Sequence, residues 1–127
     1  MDFNAYPKPV RALTQHAREA LRGWLPEAKE TQDPSAKLFA YVYGPGYRGV
    51  VCTLILSRSG VKLGIAGGAS FADPHKLLRG AGKVHRHIPL KAEADLRQPG
   101  VREMVAAASA ACLERLGRAA TGFRGID

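Results

Sequence analysis

The chain has 127 residues, of which 46% are hydrophobic and 24% charged, with a net charge of +8. That length fits one domain, spanning 1–127, able to bury a core without disulfides or metal. No apolar run approaches the roughly 18 residues needed to cross a bilayer, and the first nine residues lack the basic and apolar regions of a signal peptide, so a membrane partner is not expected.

In chain order, Pro9 suits the first turn of a helix. Val10, Leu13, Ala17, Leu21 and Trp24 follow at helical spacing and give one apolar face over about 9–25, broken at Gly23 and Pro26. Residues 27–35 are polar and read as a short helix or a loop. Residues 37–43 are rich in β-branched and aromatic side chains and predict a strand, followed by a turn at 44–47. The second strand, 49–57, is apolar on both faces and reads as central. Ser59 and Gly60 close a hairpin into a third strand, where Val61, Leu63 and Ile65 alternate with Lys62, Gly64 and Ala66. Short turns require these three strands to be antiparallel.

Asp73 has the form of a helix N-cap with Pro74 behind it, and one or two helical turns are expected over 75–79, stopped by Gly80. Residues 84–90 predict a further strand, and Pro89 suits an edge position. Residues 93–97 form a short helical piece ahead of Pro99 and Gly100. Val101, Met104, Val105, Ala108, Cys112 and Leu116 mark a C-terminal helix. A mobile tail is expected over 117–127, leaving a core of about 9–116. The fold class that follows is α+β: an antiparallel sheet of four to five strands with the N- and C-terminal helices packed on it as a two-layer sandwich.

The charge is unevenly placed. Residues 34–92 hold nine basic residues and a single acid, Asp73, whereas the rest of the chain holds ten of each. The strand-rich middle therefore carries the whole positive excess. Such a field attracts a phosphorylated small molecule, an acidic protein partner or nucleic acid. Nucleic acid would use Tyr41, Tyr43 and Tyr47 as stacking platforms. Cys52 and Cys112 sit in apolar strand and helix contexts, in no metal-ligand spacing. They read as buried reduced thiols, which points to the cytoplasm.

The strand over 84–90 places Arg86 on one face with Val84, Ile88 and Leu90, and Lys83, His85, His87 and Lys91 on the other. An arginine among apolar neighbours needs a partner. Three readings stay open: a buried pair with Asp73, an arginine awaiting an anionic ligand, or a bulged strand that leaves it exposed. His85 and His87 are two apart and could share a metal, with His75 as the only nearby third ligand. The glycine runs at 66–70 and 80–83 lack the order of a phosphate loop and read as turns. No nucleophile has an evident base beside it and no carboxylates are paired, so binding is expected rather than catalysis.

The run GVKLGIAGGASFADPHKLLRGAGKVHRHIPLK, with VREMVAAASAAC after it, resembles the YdhG-like family, a bacterial family of unknown function. The positions that carry the resemblance are Asp73, Pro74, Leu77, Leu78, Gly80, Gly82, Lys83, Arg86, His87 and Ile88, and Tyr43, Gly44, Pro45 and Tyr47 resemble the family's turn between its first strands. The likeness covers about 9–116. It implies the same helix, sheet, helix arrangement; no cofactor is expected, with iron as the alternative. Some members are described as frataxin-like iron chaperones, which makes iron handling the alternative expectation. Only Glu19, Glu27, Glu30 and Asp33 offer an acidic edge for that role, and no metal ligands are carried over. The leading expectation is a small cytoplasmic binding or adaptor domain, monomeric or homodimeric. Its anion site would comprise Lys83, Arg86 and His87 with Lys76 and Arg79, and Asp73 as a structural partner.

Overall fold

A computed structural model describes residues 2–118. Helix α1 (Lys8–Trp24) starts with Pro9 in its first turn and buries Val10, Leu13, Thr14, Ala17 and Leu21 along one face. The buried hydroxyl of Thr14 donates to the Val10 carbonyl at 2.7 Å, so it carries no unsatisfied polar atom into the core. Five strands follow: β1 (Lys29–Asp33), β2 (Leu38–Val42), β3 (Val50–Ser57), β4 (Gly60–Ile65) and β5 (Arg86–Leu90). They form one antiparallel meander in the order β1-β2-β3-β4-β5. Pro89 lies in β5, which pairs only with β4, so the missing amide is on the side that needs no ladder bond. A short 3-10 turn at Glu93–Arg97 precedes helix α2 (Val101–Arg115).

Both helices pack against β3 and β4. Between the layers lie Phe39 and Tyr41 from β2, Cys52 and Leu54 from β3, Leu63 and Ile65 from β4, and Ile88 and Leu90 from β5. The result is the expected α+β two-layer sandwich. Cys52 and Cys112 are both buried free thiols, and burial pushes both above the ordinary thiol range.

Three sequence expectations need correction. Residues 29–33 are a strand, not a helix or loop. This stretch pairs along its whole length with β2, and its polar character fits an edge strand whose outer face meets water. Its one inward carboxylate, Glu30, accepts from Arg18 Nη2 at 2.7 Å and from Tyr41 Oη at 2.6 Å. The apolar pattern of β3 marks it as the central strand, yet only one of its faces is covered. Leu54 and Leu56 are buried, whereas Thr53 and Ile55 lie half-exposed on the other side.

No helix forms after Asp73. Its carboxylate accepts from the amides of both Leu77 and Leu78 at 2.9 Å and stabilises a turn instead. Lys76 takes a left-handed φ of 54°, which a helix does not tolerate. So short a segment gains too little from helix propagation to offset nucleation.

The expected mobile tail is described only in part. Gly117, at φ 70°, lets the Arg118 amide reach the Leu113 carbonyl at 2.8 Å and the Gly117 amide reach Glu114 at 3.0 Å, the hydrogen-bond pattern that closes a helix C-terminus. Residues 119–127 lie outside the described residues.

Candidate functional site

The uncovered face of the sheet carries a groove of about 700 Å³. Its floor is a single cross-strand row. Thr31 pairs with Ala40, Ala40 with Thr53, Thr53 with Gly64, and Gly64 with His87. Because side chains alternate along a strand, these five share one face. The row is made of small residues until it reaches β5. A neighbouring row, Leu38 and Ile55, forms an aliphatic wall on one side, and Val42 and Val50 form the other. Gly64 is needed where it stands, since a Cβ there would collide with the Thr53 hydroxyl. Tyr47, 92% exposed, stands on the rim beside Pro45 and Gly46.

The β5 end of the groove is cationic. His87 and Arg79 are joined by a short bridge, with the Arg79 amide donating to the His87 carbonyl at 2.7 Å and the His87 amide donating back at 3.0 Å. His85, Arg86 and His87 line the groove together with Gly80 and Gly82; Arg86, paired with Ile65, leaves β5 on the covered side, and its Cδ lies near Gly80. The left-handed φ of Gly80, 112°, turns the chain here and keeps its own bulk off the His87 ring. Lys62 of β4 lies beside this end. Partial burial, and then the positive charges of Lys62 and Arg79, hold the His87 imidazole below its ordinary value of 6.5.

Among the described residues, no carboxylate forms an ion pair with Arg79, Arg86 or Lys62. Asp73 is occupied by two backbone amides. Arg86 donates to the His85 carbonyl at 3.4 Å, and the expected Arg86–Asp73 ion pair is absent among the ion pairs of the described residues. Arg86 is half-buried, and Val84, expected on its face, is 58% exposed because the strand begins only at Arg86.

The expected residues therefore divide. Arg86 and His87 line one end of the groove, and Arg79 is bridged to His87 through the backbone without lining it. Lys83 and Lys76 are exposed, on the bend before β5 and on the preceding turn, and do not line it. Arg79 directs its guanidinium at the carbonyls of Lys76 and Leu78, at 2.7 and 3.0 Å, which stiffens that turn.

Other expected groupings separate. His85 lies outside β5, and its Nδ1 accepts from the Gly67 amide at 3.1 Å; among the described residues no three His, Cys, Asp or Glu side chains come together to hold a metal. Tyr41 is buried, and Tyr43 is half-buried with its hydroxyl 2.8 Å from Ser109 Oγ, so Tyr47 alone of the three tyrosines is a free platform. Of the acidic residues near α1, Glu30 is held by Arg18 and Tyr41, and Asp33 accepts from the Ser35 hydroxyl at 2.7 Å.

Sequence reasoning missed Lys62 and the floor residues Thr31, Ala40, Thr53 and Gly64. The alternation of Lys62, Gly64 and Ala66 against Val61, Leu63 and Ile65 already put the first two on the side away from the core. Pairing register, which sets them in line with His87, is not encoded in any one strand. No protein-family model, no curated protein and no solved structure matches this chain significantly.

Proposed function

We propose that the chain is a small binding domain that takes an anionic ligand on its open sheet face, with the negative group at the β5 end beside Arg86, His87, Arg79 and Lys62. One observation carries this reading. Arg86 and His87 line one end of a concave surface with Lys62 and Arg79 close by, and the only acid of residues 34–92 is already engaged by backbone amides. His87 is held below its ordinary value first by partial burial and then by the positive charges of Lys62 and Arg79, and an anion beside it would offset that charge contribution. The ligand class is a phosphorylated small molecule, with an acidic protein segment as the larger version of the same chemistry. The YdhG-like resemblance belongs to this reading, because its DP…GK…RH segment builds the cationic end. A cytoplasmic setting belongs to it too, supported by two buried free thiols. Iron handling has less to rest on, since Glu30 is already bound by Arg18 and Tyr41.

The test is thermal melting against a panel of phosphorylated metabolites, with anaerobic Fe(II) in parallel. A ligand at about 100 times its dissociation constant adds roughly 2.7 kcal/mol, which raises the midpoint by several degrees. The reading expects that shift with phosphorylated compounds and its loss in Arg86→Ala, whose own midpoint stays near the parent's. A shift that survives Arg86→Ala, or one seen with Fe(II) alone, contradicts it.

A further inference from the structure

We infer that the ligand is amphipathic, an anion bearing an extended apolar tail that lies in a trench running across the strands. This rests on the anion reading above and adds the body of the ligand to its charge. The trench is the small-residue row from Thr31 to Gly64, and its walls are the rows on either side, Leu38 with Ile55 and Val42 with Val50. Strands lie about 4.8 Å apart, so five of them give a channel of roughly 19 Å from Thr31 to His87. It is one residue row wide, walled by apolar side chains where it crosses β2 and β3, and its Leu38–Ile55 wall continues as Asp33 at the β1 end and Lys62 towards the β5 end.

Charge sets the ligand's direction. Asp33 lies on the rim at the β1 end, and Arg86, His87 and Arg79 stand at the β5 end. An anionic head at β1 would meet a carboxylate; at β5 it meets uncompensated positive charge.

A narrow chain suits this surface better than a second copy of the protein. Sheets that pack face to face interdigitate large side chains from both inner faces. Here the central row is Thr31, Ala40, Thr53 and Gly64, which has nothing to interdigitate. The floor is also kept low by necessity, because Thr53 Oγ1 occupies the space a Cβ at Gly64 would need.

The experiment is isothermal titration of the full chain with inorganic phosphate, with straight-chain alkyl phosphates of increasing length below their micelle concentrations, and with alcohols of matching length. Affinity should tighten about two- to fourfold per added methylene, the upper figure being that of complete burial, and level off once the tail spans the trench. The alcohols should bind at least about tenfold more weakly than the matching phosphates. Ala40→Phe, which fills the trench, should abolish the dependence on length and leave inorganic phosphate binding unchanged. Thr53→Leu makes the same test should Ala40→Phe fail to fold.

Alkyl phosphates that bind with no dependence on chain length overturn the tail and leave the anion reading standing. Failure of every phosphate to bind overturns both. Alcohols binding as tightly as the phosphates overturn the charged head. A dimer by sedimentation that Ile55→Glu dissociates overturns the proposal by assigning this face to a second copy.

Discussion

The two faces of one sheet follow different rules. On the helix side, Phe39, Tyr41, Leu54, Leu63, Ile65 and Ile88 are almost completely buried, and the Thr14 hydroxyl and the Arg18–Glu30–Tyr41 cluster are hydrogen-bonded. On the open side, Thr31, Ala40, Thr53 and Gly64 are small and half-exposed, and among the described residues the cations at their end form no ion pair with a carboxylate. The covered face has the satisfied, close-packed character that stabilises a fold. The open face leaves apolar surface wet and positive charge uncompensated, both of which a ligand would relieve. Adjacent residues on a single strand, such as Leu54 and Ile55, thus divide between stability and binding within a few ångströms.

Breaking the covered face should have the largest effect. Leu54→Ala deletes a side chain at the centre of the core, and chemical denaturation should show a loss of about 3–5 kcal/mol. Next comes Glu30→Ala, which leaves the Tyr41 hydroxyl and the Arg18 guanidinium without their acceptor. It should cost about 1–3 kcal/mol by the same measurement. Tyr41→Phe should cost less than Glu30→Ala, because it removes the hydroxyl together with its need for a partner.

The open face should respond in the opposite way. Arg86→Ala should lower affinity for a phosphate monoester about tenfold, equivalent to roughly 1.4 kcal/mol, with little change in unfolding midpoint. Ile55→Ala lies on the groove wall and should cost less than about 1 kcal/mol, well under its covered neighbour Leu54. A larger loss would mean that this face is buried in solution.

The smallest effect concerns pH. His87 titrates below 6.5 in the free protein, and a bound anion favours its charged form and raises that value. Protons are therefore taken up on binding. Affinity should rise as pH falls through the bound-state pKa and level off below the free-state one. An alkyl sulfate, whose own charge is constant over that range, makes the measurement clean, and His87→Gln should flatten the profile.

Much of the covered face was legible in the sequence, because its signals are local. The 3.6-residue period of Val10, Leu13, Ala17 and Leu21 marks α1, alternation at Val61, Leu63 and Ile65 marks β4, and Pro89 marks an edge. β1 was not legible, since an edge strand with a wet outer face has no need of apolar alternation, and the two residues it sets opposite the buried Tyr41 and Phe39, Glu30 and Gln32, are polar. The turn after Asp73 was misread because the same carboxylate that caps a helix also satisfies a turn. Of the site, Arg79 and Arg86 were legible as part of a concentration of charge, and His87 as a residue of the same segment. The groove was not, because Thr31, Ala40, Thr53, Gly64 and His87 come from five strands and are joined only by register.

The most direct test of the division between the faces is an amide chemical-shift titration with a phosphate monoester. The account predicts shifts concentrated at Arg79, Arg86, His87, Lys62 and Gly64, with the amides of α1 and α2 unmoved. Shifts centred on the helices, or on the exposed Lys76 and Lys83 with Gly64 and His87 silent, would contradict it.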